Sequence, residues 1–249
     1  MEVHAHSHTE KKKFTHYLWE FLMLFLAVFC GFLAENQREH MVEKKREKKF
    51  ATRVLSDLKE DSAFLDKRIA DLQDRQNHYA NFLSIMTRSP KPTSFDVLRS
   101  FGQLLKGYKP EFITTTYNQM KTSGSLRYIN NDDLITALQR YYEITVPKAS
   151  GYADGIEKVF ENNVTPYMIR HFRFQKLNNN ATDTLTESEA EIFNRTPESD
   201  QEFVNIMGVY QGACDGLLVQ QKTALEACKE LIGMIKKEYH LSERTPLEK

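Results

Sequence analysis

Phe14-Thr-His-Tyr-Leu-Trp-Glu-Phe-Leu-Met-Leu-Phe-Leu-Ala-Val-Phe-Cys-Gly-Phe-Leu-Ala34 is the stretch on which the fold turns. From Phe21 to Ala34, through Leu24 and Gly31, it carries no polar side chain. A transmembrane helix needs about 20 residues, and the run reaches that length once the flank from Phe14 to Glu20 is added. Tyr17 and Trp19 sit in that flank, where amphipathic rings suit the membrane–water interface. Glu20 falls near one end, within reach of water or headgroups; at the midplane a carboxylate would be strongly disfavoured.

Three readings compete for this stretch. Lys11 to Lys13 would serve as the basic start of a cleaved signal peptide, but Phe32-Leu33-Ala34 lacks a small-x-small cleavage pattern. Phe29 stands before Cys30, where a lipoprotein signal wants a small residue. A core helix that is apolar all round needs a large domain about it. The expectation is therefore a retained signal anchor over 14–36, giving a single-pass membrane protein whose first partner is the lipid bilayer.

On the N-terminal side, His4, His6 and His8 form a tract of the kind that holds zinc, copper or nickel. Their alternating spacing does not fit one helical face, and neither a Cys nor a carboxylate group completes a site. Residues 1–13 are expected to be a disordered His/Lys-rich tail, with these three as weak metal candidates. On the C-terminal side, Glu35, Asn36 and Arg38 are expected to form a polar collar at the second interface. Lys and Arg counted within 15 residues of the span favour the C-terminal domain inside. Glu35, Glu39, Glu43 and Glu47 interleave with those charges, and long domains cross largely regardless of charge, so orientation stays open on the residues alone.

Trp19-Glu20, the apolar run, Gly31-Phe32-Leu33-Ala34-Glu35-Asn36 and Arg38-Glu39 resemble the anchor of a group of single-span proteins frequent in Bacteroidota. Thr115-Thr-Tyr-Asn-Gln-Met-Lys-Thr-Ser-Gly124 and Tyr141-Tyr142 are also similar to that group. The likeness covers the anchor well and the rest thinly, and it brings no activity or catalytic residue with it. It implies a bacterial inner-membrane protein with its C-terminal domain in the periplasm.

Beyond the span no helix breaker occurs until Pro90. Ala51, Leu55, Leu58, Ser62, Leu65, Ile69, Leu72, Gln76, Tyr79, Leu83 and Met86 step by alternate fours and threes, the seam of a helix packed on a near-parallel neighbour. The anchor helix is expected to continue into this one. Ser89-Pro-Lys-Pro-Thr-Ser94 breaks it, with Ser94 placed to cap a short helix from Phe95 to Leu105 that Gly107 ends. Further helices are expected over Ile113 to Lys121, after the N-terminal signal Asn130-Asn-Asp-Asp133, and over about Lys148 to Phe172, with Pro147 ending or kinking the chain. Asn178-Asn-Asn-Ala-Thr-Asp-Thr reads as a loop. Thr186 with Glu189 makes a capping box for a short helix to Phe193. Thr196-Pro197 opens the last helix. Its seam is Phe203, Met207, Tyr210, Cys214, Leu217, Gln221, Leu225, Cys228, Ile232, Ile235 and Tyr239. The two long seams are similar in length, so first and last helices are expected to pack together. The fold class is thus all-α: a transmembrane helix continuing into an antiparallel bundle of long helices over 37–240, covered by shorter middle helices, with 241–249 a disordered tail.

Chemistry is sparse. Acidic and basic residues balance at 34 each, which removes the basic excess expected of a nucleic-acid binder. Three cysteines make no disulfide framework, and Cys214 and Cys228 read as small buried hydrophobes. There is no Gly-x-Ser-x-Gly, P-loop, dinucleotide glycine pattern or His-Glu-x-x-His. No cofactor is implied, and Asp132 and Asp133 read as capping charge. The expectation is a membrane-anchored helical interaction or sensing module, not catalytic itself, with a protein partner or self-association through its helices. Two rivals are a subunit of an oligomeric, ion-conducting membrane complex that uses Glu20, and an enzyme with a site among Tyr117, Tyr128, Tyr141, Tyr142 and Tyr152 of the middle helices.

Overall fold

The computed structural model describes residues 14–105, 109–173 and 191–241. Helix α1 runs unbroken from Phe14 to Thr87. The chain divides into two units, the first ending at Lys49 and the second starting at Phe50. Residues 37–49, expected in the bundle, therefore go with the first unit. In that unit every residue from 14 to 42 is exposed, and the stretch is long and apolar enough to cross a membrane. Phe21, Phe25 and Phe29 stack along one side at helical spacing, with centroids 6.3 and 5.8 Å apart.

The second unit is all-α. Among the described residues there is no strand, only a bridge between Phe172 and Ile192. Helix α7, Pro197–Tyr239, lies antiparallel to the 50–87 part of α1. The Cys228 thiol donates to the Leu58 carbonyl (3.0 Å), Gln76 bonds Asp215 (2.9 Å), and the Phe82 and Phe203 rings meet edge to face at 5.4 Å. Rising numbers on one helix meet falling numbers on the other, so first and last helices pack together as their seams predict.

The seams themselves are wider than expected. On α1 the residues Val54, Asp61, Arg75 and Phe82 are buried beside Ala51, Leu55, Leu58, Leu65, Ile69 and Leu72, while Gln76 is exposed and Ser62 half-buried. The additional row repeats every seven residues. A helix with two neighbours buries three positions per heptad, where a two-stranded coiled coil buries two. The third row of α1 meets both α7 and the middle segments: Asp61 bonds Tyr141 and Ile113, Arg75 bonds Leu104 and Gln211, and Phe82 meets Phe203. On α7 the buried rows keep a strict heptad through Ala224, Cys228, Leu231 and Ile235, with Leu225 and Ile232 only half-buried. The expectation followed the larger side chains; the structure places small Ala224 at the contact.

Between the long helices come α2 (Ser94–Gly102), α3 (Thr115–Thr122), a 3-10 turn (Ser125–Tyr128) and α4 (Asp132–Arg140). A continuous helical run follows through α5 (Val146–Val159) and α6 (Thr165–His171). Thr93, not the expected Ser94, caps α2, exchanging bonds with Asp96 in a full capping box. Ser94 instead accepts from the Ile192 amide. Gly124 is left-handed (φ 67°) and opens the 3-10 turn. Asn131 caps α4, with Asp132 and Asp133 in its first turn.

Pro147 and Pro166 end nothing. A proline inside an α-helix lacks the donor to residue i−4 and its ring strikes that carbonyl. Here each is preceded by a π-helical turn, Tyr141–Thr145 and Phe160–Val164. The residue just before each proline, Val146 or Thr165, bonds five residues back, to the Tyr141 or Phe160 carbonyl. The wider turn lets the helix pass.

The expected loop and the Thr186–Glu189 capping box lie outside the described residues, as does Gly107. The described end of the expected short helix, 191–193, is not helical: Ile192 pairs with Phe172. Leu241, assigned to the tail, is buried and its amide bonds the Lys236 carbonyl past a left-handed His240. Residues 242–249 are outside the described residues.

Candidate functional site

The span residues singled out in the sequence, Tyr17, Trp19, Glu20, Phe21, Leu24, Gly31 and Ala34, all lie exposed on α1. Glu20 meets His16 one turn back, Oε1 to Nε2 at 3.0 Å. Nothing lies within 4 Å of the space a side chain would take on Gly31. In the collar, Arg38 holds Glu35 with both arms of its guanidinium, Nε at 2.9 Å and Nη2 at 2.5 Å. Asn36 is exposed beside them. His4, His6 and His8 fall outside the described residues. Among the described residues no group of three or more His, Cys, Asp or Glu could hold a metal ion.

The middle-helix tyrosines are partly gathered. Tyr117 of α3 stacks on Tyr142 at 4.4 Å and 11°, and Tyr141 meets Tyr142 edge-on at 4.9 Å. The Tyr117 hydroxyl donates to Glu143, which also takes Lys121 Nζ at 2.9 Å. Tyr128 and Tyr152 do not join them. Tyr128 lies under the Arg127 guanidinium, and Tyr152 is exposed against Gly216, where a Cβ would come within 2.9 Å of its ring.

A residue that the sequence did not single out stands at the centre of this cluster. Asp61 of α1 is 1% exposed. Its Oδ2 accepts from the Tyr141 hydroxyl (3.1 Å) and its Oδ1 from the Ile113 amide (2.9 Å). Among the described residues no basic side chain pairs with it. The Tyr142 hydroxyl and the Oδ2 atom of neighbouring Asp57 are buried with no hydrogen-bond partner among the described residues. Burial pushes the Asp61 carboxyl up to about 6, against the pull of its two donors and helped by the like charges of Asp57 and Glu60. Burial likewise raises the phenols of Tyr117, Tyr141 and Tyr142, which stay protonated, and pushes the Cys228 thiol up to about 12. The cluster thus contains one group that changes charge near neutrality, flanked by groups that do not.

Farther along α1, Arg75 is also 1% exposed. Its Nε donates to Gln211 Oε1 (3.2 Å), its Nη1 to the Leu104 carbonyl, and its guanidinium lies 4.5 Å over the Tyr210 ring. Gln211 in turn donates to Asp215 at 2.9 Å. Both buried polar residues belong to the third row of α1, and their spacing of two heptads was the one signal available. Compared with known protein families, curated proteins and solved structures, the chain matches none of them.

Proposed function

We propose that this chain is a membrane-tethered helical module that acts through interaction or sensing and carries no chemistry of its own. One observation carries the reading: the exposed apolar stretch and the first helix of the packed bundle are the same unbroken helix, Phe14–Thr87. The large apolar side chains from Phe14 to Leu33 are left exposed by the described residues, and a bilayer is an environment in which such a surface is stable. Tyr17 and Trp19 suit one interface, and the Glu35–Arg38 pair the other.

In this reading the protein is a single-pass inner-membrane protein with its bundle in the periplasm, and the helices present the surface for a protein partner or a second copy. Two measurements test it. The protein should stay with membranes through carbonate washing; release would end the tethering reading. Alkaline phosphatase fused after Lys249 should be active; a silent fusion would reverse the orientation. Crosslinking in native membranes then identifies the partner.

A further inference from the structure

Three pieces of chain meet at Asp61: helix α1, the segment before α3 through the Ile113 amide, and the π-helical turn through the Tyr141 hydroxyl. Among the described residues, the ionisable groups that act on it are acidic or neutral. Asp57 and Glu60 come from its own helix, Tyr141 and Tyr142 from the π-helical turn and Cys228 from α7, while Tyr117 of α3 stacks on Tyr142. Three lysines on the surrounding elements are engaged elsewhere: Lys229 with Asp66 (3.2 Å), Lys109 with Asp154 (3.0 Å) and Lys121 with Glu143. Glu111 of the same segment is exposed. A carboxylate taken from water without a counter-charge is unfavourable unless its hydrogen bonds make up the loss. Two donors are present, while the neighbouring Tyr142 hydroxyl donates to nothing among the described residues.

We propose that Asp61 is a proton-operated latch: protonated, it lets α1, the 109–114 segment and the π-helical turn close around it, and when the proton leaves they part so that water reaches the carboxylate. This goes beyond the tethering reading and stands without it. The sign follows from linkage. A carboxyl raised in the closed state to about 6 supports that state fully below the ordinary aspartate value. The support fades as pH climbs from that value through about 6. Between about pH 5 and about pH 7.5 the open fraction should rise about tenfold.

The test is hydrogen exchange at the Ile113 amide in the detergent-solubilised full chain, corrected for intrinsic exchange, at those two pH values. Wild type should open about tenfold more at the higher pH, and Asp61→Asn should show no such rise. Tyr141→Phe removes a donor that favours the charged form, so its transition should move to higher pH than in wild type. An Ile113 amide equally protected at both pH values, a rise that survives in Asp61→Asn, or a Tyr141→Phe midpoint that does not move up would each overturn the proposal. Should Asp61→Asn fail to fold, wild type and Tyr141→Phe decide it alone.

Discussion

Arg75 Nε donates to Gln211 Oε1 at 3.2 Å, a bond from α1 to α7 between residues 136 apart in sequence. The same guanidinium reaches the Leu104 carbonyl and covers the Tyr210 ring, so one side chain joins α1, the end of the α2 segment and α7. Arg75→Ala removes the packing of the stem and strands two acceptors in the core. The expected loss is about 3 kcal/mol by urea unfolding. Arg75→Lys should lose most of that as well, because a point charge cannot fork to two acceptors while lying flat on a ring. An Arg75→Ala protein within about 1 kcal/mol of wild type would show that this junction is dispensable.

Phe203 is the hub of a ring cluster in the hydrophobic core. Tyr167 lies flat on it at 4.7 Å and 5°, and Phe82, Phe101 and Phe172 approach it edge to face at 5.4, 5.2 and 5.5 Å. Those five rings come from α1, α2, α6, the strand-like bridge and α7. Phe203→Ala should therefore cost about 4 kcal/mol, in the range for a core aromatic. Phe203→Leu should cost less, since it keeps much of the volume. Equal losses from the two changes would mean that ring geometry, not volume, dominates.

The helices and their antiparallel pairing were legible because apolar residues at alternate threes and fours leave little choice of face. Ser89–Ser94 and Asn130–Asp133 announced their breaks through proline and short polar acceptors. Asp61 and Arg75 were not legible, because a charged residue in a charged helix reads as solvated until a second neighbour is known to cover that face. The passage of the helix across Pro147 and Pro166 was hidden for a similar reason. A proline alone does not say whether the chain stops or widens into a π-helical turn, and the burial of Tyr141, Tyr142 and Val164 in those turns depends on neighbours distant in sequence.

The hydroxyl of Tyr142 is buried and makes no hydrogen bond among the described residues, while its ring is held between Tyr117 and Tyr141. Taking a phenol hydroxyl out of water without a partner is unfavourable by about 1–3 kcal/mol. Tyr142→Phe keeps the ring and deletes that burden. It should be neutral or stabilising by about 1 kcal/mol in thermal or urea unfolding. A clear destabilisation would mean that a water or another group satisfies the hydroxyl.

Leu24 lies near the middle of the apolar stretch, and Glu20 lies one turn nearer its end, beside His16. A midplane arginine is unfavourable by about 3 kcal/mol on insertion scales, whereas a charge at the interface is tolerated. Leu24→Arg should shift a large share of the protein into the carbonate-soluble fraction, and Glu20→Gln should leave it with the membranes. If Leu24→Arg is retained as fully as wild type, the anchoring assigned to this helix is wrong.

Cys214 and Cys228 lie in the contact rows of α7, both buried and both free. Thiols react as thiolates. Burial pushes Cys214 up to about 11 and Cys228 up to about 12, so near pH 8 roughly one in a thousand or fewer of either is ionised. A maleimide should therefore label these two positions only as fast as the bundle opens, and labelling should follow the urea unfolding curve. Arg75→Ala and Phe203→Ala, by lowering the opening free energy, should each speed labelling of native protein at Cys214, which packs in the same core as Phe203. Mass spectrometry of peptides from timed samples separates the two sites. Rapid labelling of folded wild-type protein at Cys228 would show that the α1–α7 contact at Leu58 opens far more readily than its packing implies.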